Sequence, residues 1–215
     1  MTQEMETIVK QALSEGWCIG AVITDNAGQC GRARRILALM WPKITFLFCF
    51  THCINNIVKA VLKSSFSDVA RQATAAVKSI NASSSKWLGH ARALTKECYG
   101  KSLALFTLCE TRWNSMESCF VSLLRVRTSL VMLASRYQRR ADFPKSLKVF
   151  SYNIFWADLS NTEHAIVPLS KASYSLQRDE NTLADVVVFF RDMFLDFGRL
   201  SLDCRSELQQ CVEVR

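Results

Sequence analysis

The stretch "AVITDNAGQC", residues 21–30, decides how this chain is read. It completes an apolar run, Cys18 to Thr24, that is bounded by Gly16 and Asp25. A short continuous apolar run between turn residues reads as a buried strand, apolar on both faces as parallel sheets require. Asn26 suits the cap of a following helix. In that helix Ala33, Ile36, Leu37, Met40 and Trp41 recur at helical spacing, with Arg32 and Arg35 off the stripe. Trp41-Pro42 stops it, because the residue before a proline is pushed out of the helical region. A second apolar run, Ile44 to Phe50, reads as another buried strand. A strand, a helix and a strand at this spacing imply a parallel pair. Ile54, Ile57, Val58, Val61 and Leu62 then mark one face of a further helix.

Beyond about residue 64 the helical signal takes over. Val69, Ala73, Ala76 and Ile80 mark one helix, and the Ser- and Asn-rich stretch 79–87 reads as a loop. Trp113, Met116, Phe120, Leu123, Leu130 and Tyr137 mark one long helix. Pro144 breaks the stretch 137–148. Thr182 and Asp185 have capping-box spacing and open a last helix. Its residues Leu183, Val186, Val187, Phe190, Met193, Phe194 and Phe197 read as one broad apolar face. The expected fold class is α/β. Two parallel strands with flanking helices occupy residues 1–64, and a mainly α-helical region occupies residues 65–215.

About half of the residues are hydrophobic (49%), enough for a buried core. No apolar run reaches the eighteen residues of a membrane span, so no membrane partner is expected. The polar, acidic start lacks a signal-peptide pattern, and the chain reads as intracellular. The nine cysteines are odd in number and mostly scattered, which points to free thiols rather than a disulfide framework. Charge is uneven. Residues 1–148 hold 21 Lys+Arg against 9 Asp+Glu, and residues 149–215 hold 6 against 10. The resulting +12 and −4 sum to the net +8. A basic leading part suits the phosphate backbone of a nucleic acid.

Three groups of residues can carry chemistry. Asp25 stands at the C-terminal end of a parallel strand, where open α/β sheets place their ligands. A carboxylate there serves a metal ion or simply ends the strand and starts the helix. Cys49 and His52 have the spacing of half a zinc site, with no second pair to complete it; as nucleophile and base they are poorly placed. In "CETRWNS", residues 109–115, Arg112 suits a phosphate and Trp113 offers a flat face to a base, or else a buried start to the long helix.

Taken in order, these pieces resemble the hAT superfamily of DNA transposases. The resemblance rests on "TDNA" after a buried strand, then Cys49-x-x-His52 followed by Asn, then "TRW" at 111–113. "FWADL" at 155–159 and "LQRDENTLADV" at 176–186 are similar to segments of the helical part of that family. The match covers about residues 5–197.

The resemblance implies a ribonuclease-H-like core interrupted by a helical insertion. In that family an Asp-Asp-Glu set holds two Mg²⁺ ions for DNA strand cleavage and transfer. Asp25 inherits the role of the second acid, and so of a Mg²⁺ ligand in a complete site. Asn26, Cys49 and His52 inherit support of the active site. Trp113 inherits stacking on a flipped base, with Arg112 beside it on phosphate. The resemblance places the first acid on an earlier strand, yet residues 1–24 contain no Asp. It places the last acid after the helical region; Glu207 and Glu213 are glutamates outside any segment similar to the family's final helix. The expectation is therefore a truncated, catalytically inactive transposase fragment that does not hold Mg²⁺ stably. DNA is its expected partner, with self-association beside it, the nucleus as its compartment, and no small-molecule substrate. The alternative is a non-catalytic protein-interaction module derived from a transposase.

Overall fold

The computed structural model describes residues 1–25, 27–63, 66–83, 86–106, 115–178 and 180–198. The described chain is mainly helical, with two parallel strands in one sheet. It divides into two compact units, Met1–Asn56 and Ile57–Arg215.

The first unit runs α1 (Thr2–Ser14), β1 (Ala21–Thr24), α2 (Gly28–Met40), β2 (Thr45–Phe48) and the start of α3 (Phe50–Val61). The two strands pair in parallel, Ala21 opposite Thr45 through Thr24 opposite Phe48. Both are shorter than the apolar runs that announce them. Residues 18–20 and 49–50 flank the ladder without joining it as strand.

Because side chains alternate across a strand, Val22, Thr24, Phe46 and Phe48 share one face. That face lies towards α2, which packs on β2 and reaches Thr24 and Phe48 through Arg34. Ala21, Ile23, Thr45 and Leu47 share the other face, where Ile23 is 52% exposed. The strands are therefore not buried on both faces as the apolar runs suggest. Two strands with one helix on one side leave the second side open.

On α2 the buried positions are Cys30, Ala33, Arg34 and Leu37. Ile36 and Met40, expected in the core, are exposed, and Arg34 is inside instead. The helix begins at Gly28 with Ala27 as its cap residue and no side-chain cap bond, one place beyond the expected Asn26. Asn26 itself lies outside the described residues. On α3 Ile54, Ile57, Val61 and the following Leu62 are buried as expected, while Val58 is half-buried.

The second unit is helical: α4 (Ser67–Ala82), α5 (Trp87–Tyr99), α6 (Ser115–Arg125), α7 (Arg127–Tyr137), a 3₁₀ helix (Lys145–Ser151), α8 (Asn153–Leu176) and α9 (Leu183–Gly198). Helix α4 buries Val69, Ala73, Ala76 and Ile80 as its period requires, and it runs to Ala82, so the expected loop at 79–87 shortens from its N-terminal side. The single long helix expected up to Tyr137 is two helices, α6 and α7, bent by 67° about Val126. Two serine hydroxyls donate to carbonyls one turn back, Ser122 to Cys119 at 2.8 Å and Ser129 to Val126 at 2.8 Å. Such back-bonding bends helices. Ser122 Oγ also accepts the Phe106 N–H at 3.1 Å, anchoring the incoming segment at the bend.

Helix α8 is the axis of the core. Trp156, Leu159, Ile166 and Leu169 on it are almost wholly buried. The Trp156 ring stacks on Phe150 of the 3₁₀ helix with centroids 5.6 Å apart, and its indole N–H donates to the Phe150 carbonyl at 3.0 Å. A buried indole thus keeps its hydrogen bond, which is what lets so large a side chain sit there.

Candidate functional site

The described part of the site is the C-terminal edge of β1 and β2. The chain leaves β1 at Asp25, whose Oδ1 accepts the Ala27 N–H at 3.1 Å. This aspartate turn redirects the chain from strand into helix and uses one carboxylate oxygen to do so. The Cys30 thiol, one turn into α2, also donates to Asp25. Those two donors, the thiol first, hold the Asp25 carboxyl below its ordinary range, with His52 and Arg34 adding smaller attraction. The same bond pushes the Cys30 thiol up, which works against a thiolate there.

Arg34 ties the edge together. The residue is 4% exposed. It donates to the Thr24 hydroxyl and to the Asp25 backbone carbonyl, the latter at 2.5 Å. It also lies 4.1 Å from the centre of the Phe48 ring, across on β2. A buried guanidinium is tolerated because hydrogen bonds and an aromatic face replace its water. Cys49 follows directly, its N–H donating to the Thr24 carbonyl at 2.7 Å. His52 sits in the first turn of α3. The structure therefore brings Asp25, Cys49 and His52, three of the six positions selected from sequence, to one strand edge.

Compared with known protein families, characterised proteins and solved structures, the chain matches none.

Magnesium takes oxygen ligands in near-octahedral geometry. The described side chains around Asp25 supply a thiol, an imidazole and a guanidinium, and the carboxylate is already engaged by Ala27 and Cys30. Among the described residues no three His, Cys, Asp or Glu side chains converge on a common point. The described residues at this edge do not fit a two-magnesium centre, and no reaction step is drawn through one. They do not complete a zinc site around Cys49 and His52 either.

Arg112 and Trp113 lie outside the described residues, as does Asn26. Sequence reasoning missed Cys30 and Arg34. The signal was present: 30, 33, 34 and 37 are one helical stripe, and Ala33 and Leu37 were already assigned to the inside. Charge hid it, since an arginine on an apolar stripe is ordinarily displaced to its edge.

Proposed function

We propose that residues 1–215 derive from the core of an hAT-type DNA transposase, and that these residues bind duplex DNA without cutting it. On this reading the first unit is part of a ribonuclease-H-like fold, and the second belongs to the family's helical insertion. The observation that carries it is the position of Asp25. It stands at the end of β1, at the turn into α2, with Cys49 and His52 on the same edge. That is the arrangement the resemblance assigns to the second acid and its supporting pair. The engagement of Asp25 by Ala27 and Cys30, with a thiol and an imidazole for neighbours, supports the absence of stable Mg²⁺ binding and of cleavage. The surplus of +12 over residues 1–148 supports DNA as partner, and the family resemblance gives the nucleus as the compartment. Incubating the purified chain with supercoiled plasmid and Mg²⁺ or Mn²⁺ tests the loss of chemistry. The expected outcome is intact plasmid; nicking abolished by Asp25→Ala overturns it.

A second reading, a protein-interaction module of the same origin, is favoured by one observation. Ile23 is 52% exposed on one face of the sheet, beside the half-buried Ala21 and Leu47, and an exposed apolar group on a two-stranded sheet invites a cover.

A further inference from the structure

Between α5 and α6 the chain runs through residues 103–106 without helix or strand. Three side chains fasten this segment. Asn81 of α4 donates to the Leu105 carbonyl at 3.3 Å, and Arg125 of α6 donates to the Ala104 carbonyl at 2.9 Å. The Ser122 hydroxyl accepts the Phe106 N–H at 3.1 Å. A segment held by its backbone groups stays in place even where its side chains do not fill the space beside it. Beside it lies a cavity of about 110 Å³. Its floor is Ala91, Val126 and Leu130, all buried, at the bend between α6 and α7. Leu103 and Leu105 of the fastened segment form a wall.

Water is a poor occupant, because it needs about two to four polar partners. The Thr95 hydroxyl in the lining is already engaged, donating to the Ala91 carbonyl at 2.7 Å and paired with Ser129 at 3.1 Å. The Asn81 amide nitrogen is engaged by Leu105. The interior therefore suits an apolar guest. An apolar cavity of about 150 Å³ holds benzene, so this one takes a branched tail of about four carbons. The rim is basic. Arg92 lines the cavity and is exposed, with Lys96 one turn on along α5. The one acid of α5, Glu97, is held by Arg136 at 3.0 Å. Arg125, bonded to the Ala104 carbonyl, adds a third cation. An apolar interior behind a basic rim selects an anion with an apolar tail.

We propose that this cavity binds a short branched aliphatic carboxylate, with its tail against Val126 and Leu130 and its carboxylate at the Arg92 guanidinium. A neutral head gains nothing at that rim, and a long tail has no room. The lining belongs to the helical unit alone, so the site stands whether or not the chain binds DNA.

Titration of the full chain with 3-methylbutanoate at neutral pH, followed by the NMR methyl signals of Leu105, Val126 and Leu130, tests it. The expected result is saturable shifts of these methyls with a Kd of about 1 mM, as suits a ligand of this size. The neutral 3-methylbutanamide, of the same shape, binds about fivefold more weakly. Arg92→Gln weakens the carboxylate by about the same factor and leaves the amide unchanged. Arg92 is exposed, so its replacement keeps the fold. Ala91→Leu fills the floor and abolishes binding of both, with the circular dichroism spectrum retained. Methyl signals that do not move at about 20 mM carboxylate overturn the proposal. So does carboxylate binding that the amide equals, or that Arg92→Gln leaves intact. Saturable shifts that persist in a folded Ala91→Leu chain place the ligand elsewhere and overturn it equally.

Discussion

At the scale of single residues, Asp25 and Arg34 do different jobs at one strand edge. Asp25 holds the turn from β1 into α2. Its carboxyl is kept below the ordinary range by Cys30 and Ala27, so the folded state favours the charged form. The stability it contributes is complete above the ordinary carboxylate range and is lost as pH falls through the lowered folded value. Asp25→Asn is therefore expected to flatten the acid limb of the stability profile followed by circular dichroism, while lowering the midpoint only slightly near neutral pH. Arg34 has no such tolerance. Replacing it by Leu takes the charged donor away from the part-buried Thr24 hydroxyl and Asp25 carbonyl, which costs about 1.5–3 kcal/mol. Urea unfolding followed in the first unit measures it. Cys119 marks the opposite extreme. Burial pushes its thiol up to about 12, so alkylation at pH 8 is expected to reach the exposed Cys18 first and Cys119 only on unfolding.

At the scale of elements, the clearest local device is the start of α9. Thr182 N–H donates to Asp185 Oδ2 at 2.8 Å, and the Asp185 N–H returns to Thr182 Oγ1 at 3.4 Å. Thr182→Ala is expected to cost about 1 kcal/mol, read as faster amide exchange in the first turn of α9. This box was legible from two residues, because a cap depends only on its neighbours in sequence. The α3 and α4 stripes were legible for a similar reason: a single apolar face dictates which way a helix lies. Where tertiary packing decides, the sequence misleads. The α6–α7 bend depends on Ser122 and Ser129 turning back on their own helix and on Phe106 arriving from outside, none of which changes the apolar period. The apolar residues of α9 look like one face by count but lie on two sides. At the candidate site, the Asp25, Cys49 and His52 edge could be foreseen from strand ends and spacing. The Cys30 and Arg34 contacts to it lay on the inward stripe of α2, but the charge of Arg34 hid them. In the helical unit, Trp156→Ala removes both the Phe150 stack and the indole donor to the Phe150 carbonyl, and is expected to cost about 3–5 kcal/mol by thermal or urea unfolding.

At the scale of the whole chain, two kinds of surface are set apart along the sequence. The basic surplus belongs to residues 1–148, and the acidic balance to residues 149–215. The proposed polyanion partner belongs to the basic part; that proposal is the central claim, and salt separates it from mere stickiness. Lysines and arginines that neutralise phosphates release counterions, so affinity falls linearly on logarithmic axes with a slope of about −0.9 per phosphate contacted. The most direct measurement is fluorescence anisotropy of a labelled duplex titrated with the chain at a series of salt concentrations in the presence of Mg²⁺. The account predicts binding at low salt that weakens with a slope corresponding to about four or more phosphates, with the duplex recovered uncut. Negligible affinity at the lowest salt, or a duplex cleaved in an Asp25-dependent manner, would contradict it.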